Sequence, residues 1–409
     1  MAPDSRPVHV WRSIPRGIWV LGFVSLLMDV SSEMIHALLP IYLVTVLGAS
    51  ALTVGVIEGV AEATASITKV FSGALSDWMG KRKLLAATGY GLAAFTKPIF
   101  GLATSVGWLF AARFVDRIGK GIRGAPRDAL IADLAPPHLR GASFGLRQAL
   151  DTVGAFAGPL LAMAIMAATG DNFRAVFWVA VIPGFLSFAL IAFVVREPER
   201  PAGVPIVKAP LSLRELHRLG GAFWWVVAIA AIFTLARFSE AFLVLKAQAV
   251  GMPVALIPGV FVVMNVAYAG AAYPVGVLSD RVDRVTILFI GLAFLFAADI
   301  VLALAGGIAV VGVGVVLWGL HMAFTQGLLS TLVADAAPEN LRGTAFGVFN
   351  VVSGVAALCA SLIAGTLWDL TGPAGTFFAG ALFTLVAFAG LAVVRDRLRV
   401  ARAALPPEK

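Results

Sequence analysis

Ala112-Arg-Phe-Val-Asp-Arg-Ile-Gly-Lys-Gly-Ile-Arg-Gly-Ala-Pro-Arg-Asp128 places seven charges inside a stretch whose surroundings read as membrane helix. At about 100° per residue, Arg113, Asp116, Arg117, Lys120, Arg123, Arg127 and Asp128 fall within an arc of about 140°. The opposite side is Gly, Ala, Ile and Val. A charge near the centre of a bilayer costs from ~2.5 to over ~10 kcal/mol, so this stripe must face partners or a water-filled cavity. The rest of the chain has to supply both.

The 409 residues are 60% hydrophobic and 13% charged, with a mean hydropathy of +0.93. No soluble domain of this length has that balance, so the chain is a polytopic membrane protein. The polar, basic start from Met1 to Arg16 precedes an apolar run longer than a signal-peptide core, which is expected to stay in place as the first span. A single cysteine, Cys359, excludes an internal disulfide, and five scattered histidines have no metal-finger spacing. Neither a cofactor nor a resident metal is indicated.

At ~20 residues per span, twelve helices are predicted at about 17–46, 51–77, 83–103, 106–127, 141–168, 174–195, 221–248, 253–278, 285–305, 308–333, 343–368 and 375–395. Basic residues gather in alternate connections, among them Lys81, Arg82 and Lys83, then Arg140, then Arg196 to Arg218, Arg281 with Arg284, Arg342, and Arg395 to Arg402. The intervening connections, such as Gly48 to Ala51, are short and almost uncharged. The positive-inside rule then puts both termini in the cytoplasm. The net charge of +8 is thereby topological, and nucleic acid is not an expected partner.

A long polar segment, 196–220, divides the chain. The expected organisation is a cytoplasmic tail 1–16, a six-helix bundle 17–195, the linker 196–220, a second six-helix bundle 221–395 and a cytoplasmic tail 396–409. Internal similarity supports the division. Ala132-Asp-Leu-Ala-Pro-Pro-His-Leu-Arg-Gly141 returns as Ala334-Asp-Ala-Ala-Pro-Glu-Asn-Leu-Arg-Gly343, an offset of 202 residues. Gly73-Ala-Leu-Ser-Asp77 returns as Gly276-Val-Leu-Ser-Asp280, offset 203, and Ser32-Glu33 is answered by Ser239-Glu240, offset 207.

With these motifs the sequence resembles the major facilitator superfamily over essentially its whole length. Gly73-Ala-Leu-Ser-Asp-Trp-Met-Gly-Lys-Arg-Lys83 is similar to the signature between that family's spans 2 and 3. The resemblance implies a cytoplasmic gate made by Gly73, Asp77, Gly80 and Arg82, with Asp280 and Arg281 as the second copy. Gly154-Ala-Phe-Ala-Gly158-Pro159 resembles the span 5 antiporter motif associated with exporters. The implied fold is all-α, twelve transmembrane helices in two pseudo-symmetric six-helix bundles. A monomer in a bacterial inner membrane is implied too.

Several constellations can carry chemistry. Asp29, Glu33 and His36 share one face of span 1 within about 60°, and can relay protons, bind a divalent cation, or pair with the span 4 stripe. Span 2 offers Glu58 and Glu62 with Lys69. Spans 7 and 10 offer Arg237 with Glu240, and His321 with Gln326. The expected proton-coupling set is Asp29, Glu33, Glu58, Glu62 and Glu240. The expected substrate-binding set is His36, Arg113, Arg117, Lys120, Arg237, His321 and Gln326. No nucleotide-binding motif occurs, and no nucleophile with a base points to an enzyme. The functional expectation is a secondary transporter that exports a small molecule against protons by alternating access, with membrane lipids, protons and the small molecule as its partners. Two alternatives stay open: proton-coupled uptake or exchange of an organic or phosphorylated anion, and a lipid flippase.

Overall fold

The computed structural model describes residues 13–197, 213–279, 282–326, 328–338 and 341–403. Most of the expected N-terminal tail, much of the linker, Asp280 and Arg281 lie outside the described residues, as does the side chain of Asp77. Helices run α1a (Arg16–His36) and α1b (Leu39–Ile41), α2 (Ala51–Met79), α3 (Arg82–Leu102), α4 (Val106–Leu134), α5 (Arg140–Thr169) and α6 (Phe173–Ala189). They continue with α7a (Gly221–Ala236), α7b (Ala241–Ala249), α8 (Gly259–Ser279), α9 (Arg284–Leu304), α10a (Ile308–Thr325) and α10b (Leu328–Ala336). The segment Arg342–Ala403 turns at Gly372, whose φ of 78° a side chain would resist, and so forms two arms, α11 and α12. Among the described residues the passes number twelve.

Among the described residues nine segments are long and apolar enough to cross a membrane, and one of these, Arg342–Val393, is the α11–α12 pair. The two passes missing from that group are α3 and α4. They are joined by a buried Lys97–Asp116 contact of 2.9 Å, and further charges of α4 pair with α2, as Arg113 does with Glu58. Helix α4 also runs to Leu134, beyond the expected end near residue 127.

Packing repeats with a shift of six helices. Helix α1 lies on α5 and α6, α2 on α4, and α3 on α4 and α6; in the second half α7 lies on α11 and α12, α8 on α10, and α9 on α10 and α12. The halves meet along α2–α11 and α5–α8. Small residues make the first of these seams close. A methyl group added to Gly55 would sit 2.2 Å from the Ser361 carbonyl oxygen, and one added to Gly365 would sit 2.7 Å from that of Ala51. Backbones touch there, as small-residue interfaces in membranes permit.

At the end with the short uncharged connections the halves share one apolar core, which includes Leu38, Ile41, Phe242, Phe261, Ala364 and Phe377. The Asp369 carboxylate closes the same end: Oδ1 accepts from the Ala51 N–H and Oδ2 from the Leu52 N–H, each at 3.0 Å. Helix α2 thus receives from the other half a negative cap for donors that a helix start leaves unsatisfied. At the opposite end α2 finishes on Gly80 in the left-handed region (φ 65°), and Arg82 reaches the Ala129 carbonyl at 3.0 Å and pairs with Asp133. That fixes the basic turn to the tail of α4.

Asp369→Ala should loosen the closed end. Losing a cap costs about 0.5–2 kcal/mol, which should read as a lower unfolding temperature of the solubilised protein. A cysteine placed at Ala364, in a Cys359→Ser background, should be alkylated faster in the variant than in its parent.

Candidate functional site: a charged hollow between the halves

Breaks in the inner helices position the site. Helix α1a ends at His36 because Pro40, four residues on, has no N–H to offer the His36 carbonyl and its ring crowds that oxygen. Helix α7 is interrupted from Arg237 to Ser239, with Glu240 as the first cap of α7b. Helix α10a stops at Gln326, which is extended (φ −64°, ψ 129°). His36, Arg237, Glu240 and Gln326 therefore stand at helix interruptions, where backbone groups are released toward a cavity, as broken helices in membrane carriers do.

These breaks surround a hollow of about 680 Å³. Nine of the twelve expected site residues line it: Asp29, Glu33, Glu62 and Glu240 from the proton-coupling set, and His36, Arg117, Lys120, Arg237 and Gln326 from the substrate-binding set. From α4 and α5 come also Arg123, Arg127, Asp128, Arg147 and Asp151. The lining descends from His36 and Phe261, against the shared apolar core, to Lys69, Asp128 and Arg147. These last residues approach the ends joined by the basic turns, so the hollow opens at the basic end.

Two rows of charge run from the wall into the layer behind it. In the first, Glu33 Oε2 lies 3.4 Å from His36 Nδ1, His36 Nε2 lies 3.5 Å from Glu58 Oε2, and Arg113 Nη2 donates to that same oxygen at 2.7 Å. The His36 ring also stacks on Phe261 of α8, with centroids 5.1 Å apart, so it bridges the halves. An imidazole with a carboxylate oxygen at each nitrogen can pass a proton between the half-buried Glu33 and the buried Glu58. In the second row Lys97 donates to Ser32 Oγ at 3.0 Å and to Asp116 at 2.9 Å. Asp116 is 3.8 Å from Arg117, which is 3.4 Å from Glu62. Lower down, Arg127 holds Asp128 at 3.0 Å, and Arg147 pairs with Asp151.

The glycines of the span 5 motif explain why α1 brings its acids here. A methyl on Gly154 would lie 3.0 Å from the Asp29 Cβ, and one on Gly158 would lie 2.8 Å from the Glu33 Cβ. Helix α5 can approach α1 at those two acids because it has no side chains there. Gly73 has a lesser role, with its virtual methyl 3.4 Å from Ala125 on α4.

Three expected site residues stand outside the lining. Arg113, expected to meet substrate, is 2% exposed and spent on Glu58, which is itself 1% exposed; neither lines the hollow. His321 is fully buried, with Nδ1 2.9 Å from the Gly291 carbonyl oxygen, and it faces α9 rather than the cavity. Helical spacing put these residues on the right helices but could not tell an inner wall from the layer behind it. Beyond Arg237, Glu240 and Gln326, the wall supplied by the second half was missed: Met264, Asn265, Tyr268 and Asn350 have only an isolated Asn within apolar helices as a sequence signal. Asp299, fully buried in α9, has no hydrogen-bond partner at either carboxylate oxygen among the described residues, and nothing in the structure explains it.

Twelve helices in two repeated sets around a charged hollow that opens at one end define a polytopic membrane transporter. The chain belongs to the major facilitator superfamily, whose sequence model matches residues 21–359. It is 34% identical over 389 residues to an uncharacterized MFS-type transporter of Methanocaldococcus jannaschii, covering 92% of this chain and 94% of that one. It is 26% identical over 219 residues to the quinolone resistance protein NorA of Staphylococcus aureus, covering 53% and 54%. A solved bacterial homolog of the human lysosomal transporter Spinster superposes with a TM-score of 0.76 over 99% of this chain and 100% of that one, at 17% identity, which shows a common fold.

Arg113→Ala strands Glu58 in the interior and should cost about 3–5 kcal/mol, whereas Arg113→Met combined with Glu58→Leu should recover most of the loss. Unfolding temperatures of the three solubilised proteins check this. A double variant no better than Arg113→Ala would show that the pair is not what holds α2 against α4.

Proposed function

We propose that this transporter is proton-coupled and carries a small organic anion through the central hollow. The observation behind the reading is the surplus of cations without carboxylate partners. Among the described residues Lys69, Lys120 and Arg123 line the hollow with no carboxylate within 4.0 Å, and Arg123 rests instead 5.0 Å from the Tyr90 ring centre. On the other side Asp29 is the lining acid with no cation within 4.0 Å among the described residues. An anion bound at Lys120 would complete the charge balance, and Arg117 offers a guanidinium fork beside it.

Linkage gives the sign of coupling. A proton on Asp29, Glu33 or Glu62 removes a negative charge from the wall, which strengthens anion binding, and the bound anion raises proton affinity by the same factor. Anion and proton travel together, so an inward proton gradient drives uptake. With the basic turns read as cytoplasmic, the present shape is the inward-open one, and the Asp369 cap and the apolar core are what must separate to open the other side.

A second reading, proton-driven export, has two supports: the name of the Staphylococcus aureus relative and the unpartnered Asp29. It requires proton and cargo to compete for the same carboxylates, as a cationic cargo on Asp29 would.

Proteoliposomes separate the two. With acid outside, labelled benzenesulfonate, which cannot cross lipid as a neutral acid, should accumulate inside and carry protons with it, and Lys120→Gln should abolish both movements. Extrusion of a cationic dye against proton entry, with no benzenesulfonate movement, would establish export instead.

A further inference from the structure

The two walls of the hollow differ in kind. Nearly all its charge belongs to the first half, while the second half presents one internally satisfied ion pair, Arg237–Glu240 at 2.9 Å, among Phe261, Met264, Tyr268 and Met322. Behind that second wall is a side chamber of about 300 Å³ between α2, α7, α10 and α11. It shares Glu62, Ser66, Arg237, Glu240 and Gln326 with the main hollow, so the two spaces communicate at the helix breaks. Its far walls carry the rings of Phe233, Phe238 and Phe349, and hydroxyls including those of Ser353 and Ser361.

We infer that this chamber is a substrate subsite for an aromatic or alicyclic tail, and that the cargo is an amphiphilic organic anion whose charged head stays among the first half's cations. The inference rests on the reading of the hollow as an anion site and adds what lies beyond the head. Size is one support. An apolar cavity of about 150 Å³ holds a benzene ring, so 300 Å³ takes a fused two-ring group. The lining is another. Three phenyl rings favour burial of a flat apolar group edge-on or offset, while the hydroxyls of Ser353 and Ser361 can accept or donate one hydrogen bond to a substituent on it. Position is the third, because the chamber joins the hollow at Arg237–Glu240 and Gln326. A tail seated there contacts both pieces of α7 and the end of α10a, the parts of the second half that the fold leaves interrupted. A small anion with no tail would touch the first half alone. An amphiphile spans both halves.

The test is equilibrium binding to the solubilised full chain by calorimetry, with three probes: methanesulfonate (head only), naphthalene-1-methanol (tail only) and naphthalene-1-sulfonate (both). The combined probe should bind about tenfold or more tighter than either part. Ser353→Leu, which fills the chamber, should weaken naphthalene-1-sulfonate about tenfold and leave methanesulfonate unchanged. Phe349→Ala, which takes a ring from the lining and enlarges the chamber, should weaken the same probe selectively, and Lys120→Gln should weaken both sulfonates. Equal affinity for the two sulfonates, or chamber variants that weaken both alike, overturns the subsite. If naphthalene-1-sulfonate binds as expected but does not move with protons in proteoliposomes, the transport reading fails and the subsite stands. Proton-driven uptake of methanesulfonate that ignores both chamber variants has the opposite consequence.

Discussion

The contact on which the bundle depends is Arg113 with Glu58, 2.7 Å apart and almost sealed from solvent, with His36 at the second face of the same carboxylate oxygen. Desolvating two ions costs several kcal/mol each, and their attraction offsets that only when the geometry is good and further hydrogen bonds are made. This requirement dictates which helices must meet. Helix α4 contributes cations that have to find α2, and Asp116 that has to find Lys97 of α3, so α2, α3 and α4 cannot separate without stranding a charge in the apolar interior. The first half is therefore built around α4, and the polarity that keeps α3 and α4 out of the apolar group is the reason they are well anchored.

Between the halves the binding principle is different. The α2–α11 seam has backbone against backbone at Gly55 and Gly365, an apolar core and one helix cap from Asp369, with no ion pair buried across it among the described residues. Such a seam can come apart without leaving a charge unpaired, because separated apolar surface meets lipid or the cap exchanges for water. Strong, mutually dependent electrostatics within the first half and weak, small-residue contacts between halves suit a protein whose two halves move as units while the paired charges stay intact. The Glu33–His36–Glu58–Arg113 row adds one link that does cross, since His36 stacks on Phe261 of α8. That contact ties the buried row of the first half to the second half.

The hollow divides its labour along the same line. Charge and proton-accepting groups sit on the first half, and the second half offers rings, amides and one closed ion pair. Duplication explains the common framework but not this difference, because, of the repeated Ser32-Glu33 and Ser239-Glu240, only the two glutamates reach the lining. The two copies have kept their packing order while their cavity-facing side chains have diverged toward two chemistries.

Residue order by itself determined that the chain crosses a membrane about twelve times, that its halves repeat, and that α4 must turn its charged face away from lipid. Local periodicity and the expense of charge in hydrocarbon are sufficient for these, since neither needs to know what packs against what. It also named six residues of the hollow's first wall, Asp29, Glu33, His36, Glu62, Arg117 and Lys120, because charge at bilayer depth has to face a partner or water. Tertiary structure alone decided that Arg113 and Glu58 sit one layer behind that wall, that His321 faces α9, and that Met264, Asn265, Tyr268 and Asn350 join Arg237, Glu240 and Gln326 in the second wall. Those outcomes depend on the rotation of each helix about its axis, and rotation is set by distant close approaches such as Gly154 and Gly158 on α1, which no helix records in its own spacing.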